Sequence, residues 1–275
     1  MTKLIKRACF MTMAFVLCIG MAGCSSKLTP KKLMTSVEKN LAESKSVTNT
    51  LHSEVEMEGL VDLTRVTMDM TMENTVKPMA GHAQGITAVK MNDTNLASNI
   101  ELYQVQEDGK DVTYSKMYDK WSRAEADDSQ EALDGIDSGL TGNIFEEAGD
   151  SLEEFRIAKE AVEVNEKQCY EMYGDITGGE LLKFLGMDMM GAFGLVELPD
   201  NDVIMKMKIP VTIDIYQKEK LPARIIVDMT DVMNDLYDQY KKATNVNDFT
   251  IELVYTDFDQ VKEIQVPQAV KDAVE

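Results

Sequence analysis

The sequence predicts an α+β fold that is mainly β: an incomplete antiparallel β-barrel of about nine to eleven strands, with an N-terminal helix and covering helices. Three observations predict it. From residue 47 onward, apolar and polar residues alternate over long stretches, as in strands with one buried and one wet face. Turn signals separate several of these stretches, Asp108-Gly109 most clearly. A single amphipathic helix precedes them. A sheet of this size must curl or be covered to bury its apolar face, and a half-closed barrel wrapped around helices does both.

The helix comes first. Thr29-Pro30 reads as an N-cap followed by proline at the first helical position. Leu33, Val37 and Leu41 recur every four residues, so residues 30–45 form an amphipathic helix. Leu51, Val55 and Met57 then share one face of a strand, opposite His52, Glu54 and Glu56. The cleanest stripe is Val66, Met68, Met70 and Met72, with Thr67, Asp69, Thr71 and Glu73 facing away. Residues 99–106 and 111–118 flank Asp108-Gly109 as a hairpin, and Trp121 follows.

Residues 124–153 are acidic and glycine-interrupted, with weak helical spacing at Leu133, Ile136, Leu140 and Ile144. Strands resume at 155–164 and 168–176 around a turn at Asn165-Glu166-Lys167. Residues 178–198 read as a helix plus loop. A further hairpin pairs 202–216 with 223–230, with Val203, Met205, Met207 and Ile209 on one face. A short helix at 232–242, a strand at 248–256 and a helical tail complete the chain.

The first residues read as an export signal. Lys3, Lys6 and Arg7 precede an apolar run from Ala8 to Gly20, which is shorter than the ~20 residues a spanning helix needs. Met21-Ala22-Gly23-Cys24 follows and resembles the bacterial lipobox, with Met21 where leucine is commonest. The expected organisation is a signal peptide at 1–23, the lipidated Cys24 with a short tether at 24–29, and one domain over 30–275. The localisation expected is the extracytoplasmic face of the cell membrane, held by acyl chains (palmitate among them) on Cys24. Ser25 to Leu28 spans about 14 Å at full stretch, so the domain sits close to the bilayer. Lys27, Lys31 and Lys32 either offset repulsion from anionic lipid or are simply solvated.

The whole chain carries a net charge of −20, and removing three basic residues with the signal makes it −23. That argues against nucleic acid as a partner, because binding its backbone needs a basic surface. Cys9, Cys18 and Cys24 belong to the signal and anchor. Cys169 is the one cysteine left for the folded part, so no internal disulfide is expected.

Tyr118-Asp119-Lys120-Trp121 after a hairpin, Cys169-Tyr170-Glu171-Met172-Tyr173-Gly174 before a helix, Leu221-Pro222-Ala223-Arg224-Ile225, and the ending Tyr255-Thr256-Asp257-Phe258 through Ile264-Gln265-Val266-Pro267 complete the picture. With a lipobox, one helix and a long antiparallel meander, the chain resembles the LolA-like and LprG/LppX-like lipoproteins. The resemblance implies an incomplete barrel whose concave face, covered by helices, encloses an apolar cavity for acyl chains. It implies no ligand-contact residue by position. LolA itself is not lipidated, so an anchored chain resembles the LprG type or Gram-positive lipoproteins more.

Signatures of catalysis are missing: two dispersed histidines, no Gly-x-Ser-x-Gly, no His-Glu-x-x-His and no phosphate loop. The expectation is no enzyme, no cofactor and no metal, with Asp127-Asp128 and Asp257-x-Asp259 read as solvated loops. The methionines carry more information. Sixteen of the 20 lie beyond residue 23, and this flexible side chain suits both irregular cores and adaptable apolar sites. Met57, Val66, Met68, Met70, Met72, Val203, Met205 and Met207 are the candidates for a ligand cavity. Leu181, Leu182, Phe184, Leu185, Met189 and Phe193 are the candidates for its lid. Two readings follow: a membrane-anchored binder of a lipid or other hydrophobic ligand, or a cell-envelope scaffold with a filled core.

Overall fold

The computed structural model describes residues 28–59, 62–117, 120–125, 144–185 and 201–274. Among them one antiparallel sheet of twelve strands dominates. The first six form a meander: β1 (Ser46–Glu58), β2 (Leu63–Val76), β3 (Met79–Met91), β4 (Thr94–Glu107), β5 (Lys110–Met117) and β6 (Lys120–Glu125). The rest are β7 (Arg156–Ile157), β8 (Val162–Val164), β9 (Lys167–Thr177), β10 (Lys208–Tyr216), β11 (Pro222–Asp228) and β12 (Asn245–Tyr255). The order across the sheet is β6-β5-β4-β3-β2-β1-β12-β11-β10-β9-β7, with β8 also on β9. The β1–β12 pairing joins the two arms. Among the described residues nothing pairs β6 with β7, so the barrel stays incomplete, as the alternation predicts.

Seven helices accompany the sheet among the described residues, the last of them on its outer face. They are α1 (Pro30–Glu43), α2 (Ile144–Glu147), α3 (Gly149–Glu153), α4 (Gly178–Leu185), α5 (Asn201–Lys206), α6 (Thr230–Gln239) and α7 (Gln268–Asp272). The expected cap of α1 is present: Lys32 N–H donates to Thr29 Oγ1 at 3.4 Å, with Pro30 opening the helix. Leu33, Met34 and Val37 are its buried face. α6 is clamped to β12 through Asn234, whose carboxamide exchanges hydrogen bonds with the Val246 backbone at 2.8 and 2.7 Å. At α4, Glu180 N–H donates to Thr177 Oγ1 and Thr177 N–H donates to Glu180 Oε2, a reciprocal cap.

The main core lies between these helices and the inner sheet face. It joins Leu33 and Val37 to Leu51, Val55, Met68, Met72, Ile213, Ile225, Phe249 and Leu253, with Leu152, Phe184 and Leu236 above them. A second cluster lies on the outer face of β4–β6. There the C-terminal segment lays Ile264, Val266, Val270 and Val274 over Tyr103, Val105, Val112, Tyr114 and Trp121. Charge fastens it: Glu107 accepts from Tyr114 and Arg123 and pairs with Lys271.

Some expectations need correction. Twelve strands exceed the expected nine to eleven, partly because residues 79–91 form β3, which no apolar stripe announces. The strand expected at 155–164 is two short strands, β7 and β8, around Ala158–Ala161. The strand expected from 202 begins only at Lys208. Residues 201–206 are helical, because a short apolar run such as Val203–Met205 carries no decisive period. Val203, Met205 and Met207 therefore all lie before β10 and share no strand face with Ile209. Of the weak helical spacing, Ile144 is buried in α2, while Leu133, Ile136 and Leu140 lie outside the described residues.

Candidate functional site: the inner face of the half-barrel

Register places the candidate side chains in rows across the inner face. Asn49, Met72, Ala83 and Leu102 form one row. Leu51, Met70, Gly85 and Ile100 form the next, followed by Ser53, Met68, Thr87 and Ser98. Val55, Val66, Val89 and Leu96 come after, and then Met57, Thr64 and Met91. Exposure rises along these rows from β1 toward β4. Met68 and Met72 are 2% exposed and Leu51 and Val55 1%. Val66, Met70, Val89, Ile100 and Leu102 are half-buried. Met91 is 48% exposed and Leu96 66%. The apolar face thus starts as packed core and runs out, still apolar, beyond the helices of the described residues.

Met57 is half-buried beside α6, where Tyr237 Oη donates to its sulfur at 3.9 Å. Val203 and Met207 are half-buried at the margin of the main core. With Val232 and Leu236 they line a hollow of about 300 Å³ between α5 and α6. Met205 is 43% exposed; its methyl group lies 3.0 Å from where a Cβ on Gly179 would stand. Of the lid candidates, Leu181, Phe184 and Leu185 are fully buried in the main core and Leu182 is half-buried. Met189 and Phe193 lie outside the described residues, as do Cys24 and the rest of the tether before Leu28.

Sequence reasoning missed a polar group on this face. Asn49 on β1 pairs with Tyr255 on β12, and Asn74 on β2 stands beside Val47, one inner position away. All three are buried, at 0%, 1% and 8% exposure. Asn49 Nδ2 and Oδ1, Asn74 Nδ2 and Tyr255 Oη have no hydrogen-bond partner. Burial pushes the Tyr255 phenol well above the usual tyrosine range, so it keeps its proton. The signal was present as asparagine at inward positions of otherwise apolar stripes.

The outer face carries a different cleft, about 610 Å³, beneath the C-terminal segment and lined by Thr48, Glu73, His82, Tyr103, Asp257 and Lys262 among others. His82 stacks on Tyr103 with ring centroids 4.3 Å apart and lies 3.4 Å from Glu101. Burial, then the Glu101 hydrogen bond, pushes the Tyr103 phenol up to about 12. The lining is charged, so it suits water or a polar group rather than an acyl chain. Among the described residues no three His, Cys, Asp or Glu side chains are arranged to hold a metal ion.

An open antiparallel half-barrel with helices on its concave face is the fold class of this protein. The crystal structure of LprF from Mycobacterium bovis shares it, with a TM-score of 0.51 at 11% identity, over 86% of this chain and 96% of that one. The structure of Mycobacterium tuberculosis lipoprotein LppX aligns over 86% of this chain and 98% of its own, at 14% identity and a TM-score of 0.43. The chain belongs to the family DUF6612, a family of unknown function, whose model matches residues 29–275. No curated protein matches it by sequence.

Proposed function

We propose that this protein is a membrane-anchored extracytoplasmic lipoprotein whose half-barrel binds a lipid or other hydrophobic ligand against the inner face of β2–β4. The observation that carries the reading is the gradient along the inner rows. A sheet that needed only a core would end its apolar side chains where the helices end. Here Val66, Met70, Val89, Ile100 and Leu102 stay half-buried and Leu96 stands in the open. Contiguous exposed apolar surface on a soluble domain marks a binding site. Methionine there adapts to ligands of varied shape. The fold shared with LprF supports the same reading, as does the lipid carriage implied by the sequence resemblance.

Anchoring follows from Cys24 after its short apolar run. Acyl chains on Cys24 are the attachment this reading assigns. A four-residue tether keeps the half-barrel within about 14 Å of the bilayer, so it receives or presents lipid at one membrane instead of ferrying it. Cys24→Ala is expected to release the protein from membranes or leave it unprocessed. Mature Cys24→Ala protein still found in the membrane fraction would contradict lipidation.

One observation favours a second reading, an envelope scaffold: Met68 and Met72 are packed into the core, not into a void. Uptake of a fluorescent fatty-acyl probe separates the two. The ligand reading expects saturable uptake that Leu96→Asp abolishes; the scaffold reading expects none.

A further inference from the structure

Seven buried side-chain nitrogen and oxygen atoms among the described residues lack a hydrogen-bond partner, and four of them belong to Asn49, Asn74 and Tyr255. A buried polar group without a partner is costly relative to the same group in water. The fold satisfies its structural asparagines elsewhere. Asn234 uses both carboxamide atoms on Val246, and Asn40 Nδ2 donates to Glu219 O at 2.7 Å. The inner three are treated differently, and they are neighbours. Asn49 and Tyr255 are directly opposed across β1 and β12, and Asn74 lies diagonally from Asn49 across β1 and β2. Side chains so related on one sheet face are about 5–8 Å apart, a span one small polar group can bridge.

We propose that Asn49, Asn74 and Tyr255 form a polar subsite inside the half-barrel that holds the neutral ester-and-hydroxyl end of an acyl glycerol. The two carboxamide nitrogens and the phenol are donors for ester carbonyl oxygens, and Asn49 Oδ1 is an acceptor for a free hydroxyl. The inner-face positions of β1, β2 and β12 carry no lysine, arginine or histidine. A phosphate or carboxylate would therefore be left buried and unpaired, which selects a neutral head. Along its row the inner face passes the packed Met72 and Ala83 and opens at Leu102, Ile100 and Leu96, the stretch that takes the acyl chains. The inference rests on the ligand reading above and adds which end of the ligand goes where.

The test uses the acylated full-length protein, delipidated in detergent, and two pyrene probes: a diacylglycerol with a pyrene-bearing chain, and a pyrene-bearing alkane. Wild type is expected to bind the diacylglycerol more tightly than the alkane. Tyr255→Phe and Asn49→Ala are each expected to weaken diacylglycerol binding by about tenfold and leave the alkane unchanged. Unchanged diacylglycerol binding in both variants would overturn the subsite while leaving the apolar site standing. If neither probe binds wild type, the ligand reading itself fails, and the subsite with it. Tyr255→Phe keeps the ring and removes one oxygen, so it controls for folding. Ligand-free Tyr255→Phe is expected to melt at or above wild type. A clear fall would show that the hydroxyl already has a structural partner such as water, and would overturn the assignment.

Discussion

Truncating one inner-face side chain at a time separates core from site. Met72 is 2% exposed and flanked by Asn49 and Ala83. Ala83 is itself small and cannot fill the space a shorter neighbour leaves. Met72→Ala therefore loses the transfer free energy of the side chain and leaves a cavity, about 2–4 kcal/mol together. Met70 is half-buried, which halves the transfer contribution and gives about 1–1.5 kcal/mol. Leu96 is 66% exposed, so Leu96→Ala stays within about 0.5 kcal/mol. Against a typical stability of ~5–15 kcal/mol these differences are resolvable by urea unfolding of ligand-free protein followed by circular dichroism. The expected order of cost is Met72, Met70, Leu96. For uptake of an apolar probe by the still-folded variants, Leu96→Ala has the larger effect for its cost in stability. A Leu96→Ala cost equal to that of Met72→Ala would mean the outer rows are covered core, and the gradient argument would fall.

Further predictions follow from single sites. Glu180 is partly buried, which pushes its carboxyl up, but hydrogen bonds from Thr177 and Ser151 hold it net below the usual range. A depressed folded-state pKa contributes stability above the ordinary glutamate pKa and loses it as pH falls through the folded value. Glu180→Gln should thus cost about 1 kcal/mol at pH 7 and flatten stability below pH ~4.5; an unaltered acid limb would refute the cap. Burial, then Asp214, pushes the Cys169 thiol up to about 11. In a chain cut to residues 25–275, where Cys169 is the one cysteine, a thiol reagent at pH 8 should find no reactive group until urea exposes one; rapid native labelling would contradict this burial. A Cβ on Gly174 would stand 2.5 Å from the Phe155 ring, so Gly174→Ala is expected to cost about 1–3 kcal/mol. Phe155→Leu in the same chain should recover part of that loss, and strict additivity would show that the ring is not what the methyl meets.

Much of this was legible in the chain. Thr29-Pro30 with apolar residues every fourth position led directly to α1. The Met68–Met72 stripe led to β2 and to the inward face. Asp108-Gly109 turns with positive φ at both residues, as does Asn165-Glu166. What stayed hidden has physical reasons. β3 carries no apolar stripe because its inner positions are small: Gly85 faces Met70 and Ala83 faces Met72, so the neighbouring strand supplies the bulk. α5 looks like strand in the sequence because Val203, Met205 and Met207 fit a period of two as well as a short helix does. The apolar outer face of β4–β6 is covered by residues more than 140 positions later, a pairing no local pattern carries. The polar trio escaped because asparagine in a strand reads as solvent-facing until register turns it inward.

The most direct measurement is the lipid content of the protein itself. Protein purified under mild conditions from the membranes of its own host is extracted with organic solvent, and the extract is analysed by mass spectrometry against a mock purification. The account predicts an acyl lipid enriched at close to one equivalent per chain, with a neutral hydroxyl-bearing ester as its head. Protein that carries no lipid above the mock and takes up no fluorescent acyl probe would contradict it, and would leave the half-barrel as a scaffold with a filled core.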